Sequence, residues 1–342
     1  VTTSLQPAVS PSTRQLAEGL AGAGGPARVV LAEGDDPRVQ EAARLLPGLG
    51  VTPLLVLPDG GDRRAVPSYA ETVGVRDLAT GPAGELVARI GADRGWPEEL
   101  VAQRRADPVY LAAALVRLGH ADGAVAGSRR PTGDVIRAGL QVVGLDPGCA
   151  TLSSSFLLAL PSGRLLAFGD CAVVPEPDAG QLADIAVATA GTFAALTGER
   201  PTVAMLSFST LGSAEHPAVS RVREATALAR RQRPDLEVDG ELQFDAALVE
   251  SVAAAKAAGS AVAGRANVFV FPNLAAGNIG YKIAQRLGDA EAFGPILQGL
   301  RDPLNDLSRG CSAGDVASVA VITALQALAP DRTAAGRAHV LA

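Results

Sequence analysis

Aromatic residues make up only 4% of the 342-residue chain, and there is one tryptophan and one methionine, while apolar residues together reach 48%. A substantial core is possible, but it must be built mostly from Ala, Val and Leu. Cysteine and histidine are equally scarce, with Cys149, Cys171, Cys311, His120, His216 and His339 scattered along the chain. None of them falls into C-x-x-C or H-E-x-x-H spacing, so neither a disulfide framework nor a metal site is expected. Cys171 and Cys311 read as small buried hydrophobes, and the cysteine usage fits a reducing, cytoplasmic setting. Lysine is confined to Lys256 and Lys282, and the formal charge is -6. That balance argues against nucleic-acid binding, so an anionic ligand must be met by local basic side chains. No run approaches the roughly 20 apolar residues of a membrane span. The first residues show no basic stretch followed by an apolar one, so no signal peptide is expected.

What is present is an alternation of strand-like and helix-like segments. Residues 1–26 mix Pro, Ser, Gly and Ala around a short helical stretch near Leu16 and read as a flexible lead-in. Arg28 to Gly34 is a short apolar strand ending in a turn, a helix runs through Val39, Ala42 and Leu45, and Val51 to Leu57 is a second strand, which makes a βαβ unit. Helices follow over 86–94, 98–105 and 109–118, then a buried strand from Asp122 to Gly127. It opens onto Ser128-Arg129-Arg130-Pro131-Thr132, with Thr132 expected to cap the next helix. A polar turn after a buried strand is where α/β proteins hold ligands, although the two arginines read equally as solvated surface. Ala150 to Leu160 and Arg164 to Val174, joined by Pro161-Ser162-Gly163, predict a hairpin and hence antiparallel members in the sheet. A long helix over 181–196, a strand over 202–208, a helix over 217–231, a strand edge before a helix over 246–257, and a strand from Asn267 to Phe271 complete the alternation. The class is α/β. The expected division is a first domain of 27–149 with 300–342 and a second of 150–299, with ligands bound in a cleft between them.

The densest chemistry lies between Asn267 and Val316. Gly277-Asn278-Ile279-Gly280-Tyr281-Lys282 reads as a glycine-bearing turn opening a helix, which would bring Asn278, Tyr281 and Lys282 to a substrate site. Ala313 to Leu328 reads as a buried helix capped by Ser312, so Ser308 and Arg309 lie just ahead of a helix N-terminus. Free N–H groups and the helix dipole favour an anion there, and an Arg fork matches phosphate or carboxylate oxygens. Ser312-x-x-Asp315 reads equally as a capping box with Asp in place of Glu. In the Ser207 to Ser213 loop, Ser207, Ser209, Thr210 and Gly212 could offer donors to phosphate oxygens, and serine-rich turns also serve simply as caps.

Several segments together carry a resemblance: Val203 to Thr210 with Gly212-Ser213-Ala214, Asp239-Gly-Glu-Leu-Gln243, Phe271-Pro-Asn, Gly277 to Lys282, Gly294 to Gly299, and Asn305-Asp-Leu-Ser-Arg-Gly-Cys-Ser312. Over about Arg28 to Leu328 the chain resembles the phosphate acetyltransferase (phosphotransacetylase) family of the phosphate acetyl/butyryltransferases. The resemblance implies a two-lobed, three-layer α/β/α fold with mixed sheets, like that of the isocitrate and isopropylmalate dehydrogenases, and a homodimer with its site in the interdomain cleft. It implies reversible acetyl transfer between acetyl phosphate and coenzyme A, with inorganic phosphate and acetyl-CoA on the other side and no metal or prosthetic group. Carried over by position, Asp315 is the base for the coenzyme A thiol, Arg309 and Ser308 hold the phosphate, and Arg137 serves coenzyme A binding or catalysis. Ser128 is assigned to substrate binding beside them. A free thiol is mostly protonated at neutral pH, which gives a base something to do. The helix N-terminus that suits phosphate also suits ionised Asp315, so a positioning role for Asp315 stays open. Departures from the pattern are Arg129-Arg130-Pro131 in place of a His-Ser-Thr type of turn, Leu211 in place of Lys, and no clean partner for a family arginine near residue 90. A butyryl- or propionyl-transferring enzyme, or a non-catalytic acyl-CoA-binding domain like that of some malic enzymes, are the alternatives.

Overall fold

A computed structural model describes residues 9–22, 26–61 and 66–329. Along the chain the elements are α1 (Pro11–Ala21), β1 (Ala27–Leu31), α2 (Pro37–Leu45), β2 (Val51–Leu57), β3 (Glu71–Gly74), α3 (Val75–Thr80), α4 (Pro82–Asp93), α5 (Glu98–Arg105), α6 (Pro108–Arg117), β4 (Gly123–Ala126) and α7 (Thr132–Ala138). Then come β5 (Ser153–Ala159), β6 (Leu165–Gly169), α8 (Ala179–Thr197), β7 (Thr202–Leu206), α9 (Pro217–Gln232), β8 (Glu237–Leu242), α10 (Phe244–Leu248) and α11 (Glu250–Lys256). The last are β9 (Val268–Val270), α12 (Leu274–Leu287), β10 (Glu291–Gln298), β11 (Leu304–Asp306) and α13 (Ala313–Leu328). The chain divides into two compact units, residues 1–146 with 300–342 and residues 147–299.

The first unit holds a sheet in the order β11-β4-β1-β2-β3. Every neighbouring pair in it is parallel. Parallel strands need helical cover, and the near-continuous apolar runs Val29-Val30-Leu31 and Leu54 to Leu57 are buried accordingly. Helix α13, apolar nearly all round, is almost wholly buried and packs against β1 and β4. Within the segment 1–26, expected to be a flexible lead-in around a short helix near Leu16, that helix is present as α1 and is packed onto the first unit. Ser10 caps it and Pro11 opens it. Leu16 and Leu20 are buried, and Thr13 and Ser318 hydroxyls meet at 2.7 Å, which fastens α1 to α13. Residues 1–8 and 23–25 of that segment lie outside the described residues.

The second unit holds a mixed sheet in the order β10-β5-β6-β9-β7-β8. The hairpin expected at residues 150–174 is present as the antiparallel pair β5 and β6, and β10 adds a second antiparallel pairing. β6, β9, β7 and β8 run parallel. Phe156, Phe168 and Phe269 centre its core. Helix α8 has the length and apolarity of a membrane span, unlike anything expected from the sequence. Ten of its residues are buried and it packs on β5, β6, β9 and α9, with an Asp178–Gln181 capping box at its start.

Candidate anion-binding and acyl-transfer site

In the first unit the loop from β11 to α13 carries Ser308 and Arg309, and Asp315 lies in the first turn of α13. The Ser308 carbonyl accepts from the Cys311 N–H at 2.9 Å, which closes the turn and puts Ser308 and Arg309 on the surface. Among the described residues the Arg309 guanidinium has no hydrogen bond or ion pair, while its carbonyl is held from behind. Asp315 is exposed and belongs to a complete capping box. Its Oδ2 accepts from the Ser312 N–H at 2.8 Å and from the Ser312 hydroxyl at 2.9 Å, and its own N–H donates to Ser312 Oγ at 3.2 Å. The capping and chemical readings of Asp315 are therefore compatible, because the cap engages Oδ2 and leaves Oδ1 without a partner among the described residues. Cys311 is buried, and burial pushes its thiol pKa up despite the nearby Arg38. That suits a packed side chain rather than a nucleophile.

Arg38, in the first turn of α2, holds this loop and was not singled out from the sequence. Its Nη1 donates to the carbonyls of Arg309 at 2.8 Å and Cys311 at 3.1 Å. Its Nη2 donates to Ser128 O and to Asp36, and its Nε donates to Asp36. Asp36 is buried. Burial opposes its ionisation, but the Arg38 bonds prevail and hold its carboxyl below the usual value. The sequence signal was available in retrospect: two acids and a Pro at the end of β1, with an Arg one residue into the helix.

The turn after β4 is organised by Glu33 rather than by a ligand. The Glu33 carboxylate accepts from the N–H groups of Gly127, Ser128, Arg129 and Arg130 and from the Ser128 hydroxyl, all at 2.7–3.0 Å. Ser128, assigned to substrate from the sequence, is buried and committed to that carboxylate. Arg129 pairs with Asp35 and Arg130 with Asp107, so neither is an unengaged cation. Thr132 is the first residue of α7 rather than its cap, which is Pro131, and the Thr132 hydroxyl donates to Asp306 Oδ2 at 2.5 Å. Arg137 lies on α7, half exposed and paired to Asp134 at 2.6 Å.

The second unit repeats the device. After β7, the loop closes on Glu241, which accepts from the Ser209 hydroxyl at 2.8 Å and the Gly212 N–H at 2.9 Å and is gripped by two nitrogens of Arg223. Burial would raise the Glu241 pKa, yet these donors, Arg223 foremost, bring it down to about 2. Thr210 exchanges bonds with Gln243. Ser209, Thr210 and Gly212 thus have donors engaged by Glu241, Gln243 and Ser213, while Ser207 donates its backbone N–H to Leu242 O. Leu211 sits at the exposed tip with a positive φ of 43°.

Gly277 to Lys282 is not a turn. It is the interior of α12, which Asn273 caps through a bond from the Ala276 N–H. Asn278 donates to Cys171 O and accepts from Lys282 at 2.8 Å. The Tyr281 ring stacks on Phe156 at 3.9 Å and burial raises its phenol pKa, so it is a core-facing ring. Of the residues expected at the site, the structure groups Ser308 and Arg309 on the β11–α13 loop with Asp315 in the first turn of α13, and Asn278, Tyr281 and Lys282 on one helix.

Residues 15–324 match the family model of the phosphate acetyl/butaryl transferases. The phosphate acetyltransferase of Paracoccus denitrificans is 48% identical over 303 residues, a span that covers 87% of this chain and 94% of that protein. A phosphotransacetylase from Streptococcus pyogenes superposes with a TM-score of 0.85 at 42% identity, covering 92% of this chain and 98% of that one. A branched-chain phosphotransacylase from Enterococcus faecalis V583 shares the fold, with a TM-score of 0.67 at 19% identity over 88% of this chain and 99% of that one.

Proposed function

The chain belongs to the phosphate acetyl/butaryl transferase family, and we propose that it is a phosphate acetyltransferase that moves an acetyl group reversibly between acetyl phosphate and coenzyme A. The observation that carries the site assignment is the Arg309 guanidinium, without a partner among the described residues, beside Ser308 and one turn ahead of the N-terminus of the buried helix α13. An exposed fork with no internal partner next to free helix N–H groups is an anion receptor.

The reaction written on these residues balances without a redox step. The coenzyme A thiol loses its proton to a base, the role assigned to Asp315, whose Oδ1 is unengaged. The sulfur attacks the acetyl carbonyl carbon, and the tetrahedral intermediate collapses by breaking the bond to the phosphate oxygen. Arg309, Ser308 and the start of α13 meet the charge on the carbonyl oxygen and the departing phosphate. Acetyl phosphate is already activated, so this route draws on no metal or prosthetic group, and coenzyme A enters as a substrate. Arg137, Lys282 and Ser207 are assigned to substrate contact. Ser128, Ser209, Thr210, Gly212, Asn278 and Tyr281 hold the loops and helix that carry those contacts. The all-parallel sheet of the first unit and the helices packed on it support assignment to the three-layer α/β/α architecture of the isocitrate and isopropylmalate dehydrogenases. A cytoplasmic homodimer belongs to the same proposal.

Thioester formation from acetyl phosphate and coenzyme A, followed by absorbance with butyryl and propionyl phosphates alongside, tests the reading. Turnover highest in kcat/KM for the acetyl substrate is expected. Folded protein that binds acetyl-CoA and turns nothing over would overturn the enzyme reading in favour of a regulatory domain.

A further inference from the structure

Buried carboxylates close the loops at the carboxyl ends of several strands. Glu33 after β1 takes five donors, and Glu241 at the end of β8 takes four. Asp170 after β6 takes the N–H groups of Ala172, Val173 and Val174. Asp306, at the end of β11, is different. It is 1% exposed, and among the described residues its one hydrogen-bonded side-chain partner is the Thr132 hydroxyl and its buried Oδ1 has no partner. It lies two residues before Ser308, and Thr132 opens the helix that bears Arg137.

We propose that Asp306 is a positioning residue for the transfer reaction, tying the first residue of α7 to the strand end from which the Ser308–Arg309 loop departs. This rests on the acetyltransferase reading for its kinetic consequence, but the tether itself is geometric. Because Oδ2 accepts from Thr132 and Oδ1 is free to carry a proton, the tether is retained in the acid form. Burial is the largest influence on this carboxyl and raises its pKa, to about 7. The Thr132 and Leu307 donors oppose that shift, and the charge of Glu33 adds to it. Of the other charged groups on the surrounding elements, Arg129 is engaged with Asp35, Arg130 with Asp107, Asp134 with Arg137, Arg38 with Asp36 and Asp315 in the α13 cap, while the Arg309 guanidinium on the exposed loop is left for the anion. Above pH 7 two buried carboxylates, Asp306 and Glu33, oppose each other beneath the loop, so the arrangement loosens as pH rises. The sign agrees with linkage: an acid whose folded pKa is raised contributes stability fully below its ordinary value near 4, and that contribution is lost as pH climbs through about 7.

Two variants read this. Asp306→Asn imitates the neutral form, so the ratio of its kcat to that of the wild type should climb between pH 6 and 8; taking the ratio cancels the thiol's own ionisation. Thr132→Val cuts the tether at the other end and should lower kcat about tenfold or more, as misplacement of catalytic groups does, with a smaller effect on KM. Hydrogen exchange of residues 307–312 should quicken in Thr132→Val, a readout that needs no turnover. If wild-type protein fails to make acetyl-CoA, the acetyltransferase reading falls, and the exchange data still decide on the tether. A flat kcat ratio together with unchanged exchange in Thr132→Val overturns the inference.

Discussion

At the scale of single residues, the decisive contrast is between donors already committed to the protein and donors left for a ligand. Arg38, Arg223, Arg129 and Arg130 are all engaged, whereas Arg309 is not. Arg309→Ala should therefore lower kcat by about a hundredfold or more, the scale on which lost transition-state donors act. Ser207→Ala should change it far less. Equal losses in the two variants, measured as steady-state acetyl-CoA formation, would place the anion elsewhere. The sequence made Arg309 legible because an Arg ahead of a capped apolar helix has few other uses. It could not show that Ser128 and Ser209 are committed, because their partners, Glu33 and Glu241, lie 95 and 32 residues away in sequence. Local pattern identifies a polar turn, but whether its donors are free depends on a distant carboxylate. Arg38 escaped notice for the same reason, since its targets lie 90 and more residues away along the chain.

At the scale of elements, long periodic helices and the uninterrupted strands were readable, and the failures cluster at glycine and proline. The sequence places a turn ahead of a helix start where α12 is already helical, because Gly277 and Gly280 signal turns locally. In the structure they are helical and serve close approach: a Cβ on Gly277 would lie 2.4 Å from Asp170 O, and one on Gly280 would lie 3.1 Å from the Phe271 ring. Strand β10 was missed because Gly294 and Pro295 interrupt its pattern, where the register with β5 shifts. The single helix expected over 246–257 is two, parted at Val249, which is extended. The packing of α12 gives a direct prediction. Gly277→Ala leaves helix propensity improved, yet it drives a methyl into backbone that also carries the Asp170 turn. It should destabilise the protein by roughly 1–3 kcal/mol, as overpacking does. A melting temperature lowered in Gly277→Ala, and lowered less in the exposed control Gly259→Ala, is the expected pair of measurements. An unchanged melting temperature for Gly277→Ala would mean that α12 does not sit this close to residue 170.

At the scale of the whole molecule, the unit of residues 1–146 and 300–342 is completed only when the chain returns with β11 and α13, so the loop carrying Ser308 and Arg309 is set by a late segment packed on early ones. The other unit raises the question of what covers α12. Ile279, Ile283 and Leu287 follow at intervals of four, which puts them on one side of the helix, and they are 58%, 53% and 82% exposed. Only Gly277 of this helix is buried, so an otherwise well-packed unit presents a ridge of branched aliphatic side chains to solvent. Two copies related by a two-fold axis can bury such a stripe against itself, because an isologous contact uses the same patch on both partners. The proposed homodimer is therefore expected to depend on this helix. Sedimentation equilibrium should give twice the 34.6 kDa chain mass for the wild type and the single-chain mass for Ile283→Asp combined with Leu287→Asp. Both substitutions fall on exposed positions, so the variant should keep its fold and its circular dichroism. A wild type that sediments as a monomer at micromolar concentration rules out the dimer; a variant that stays dimeric moves the contact to another face.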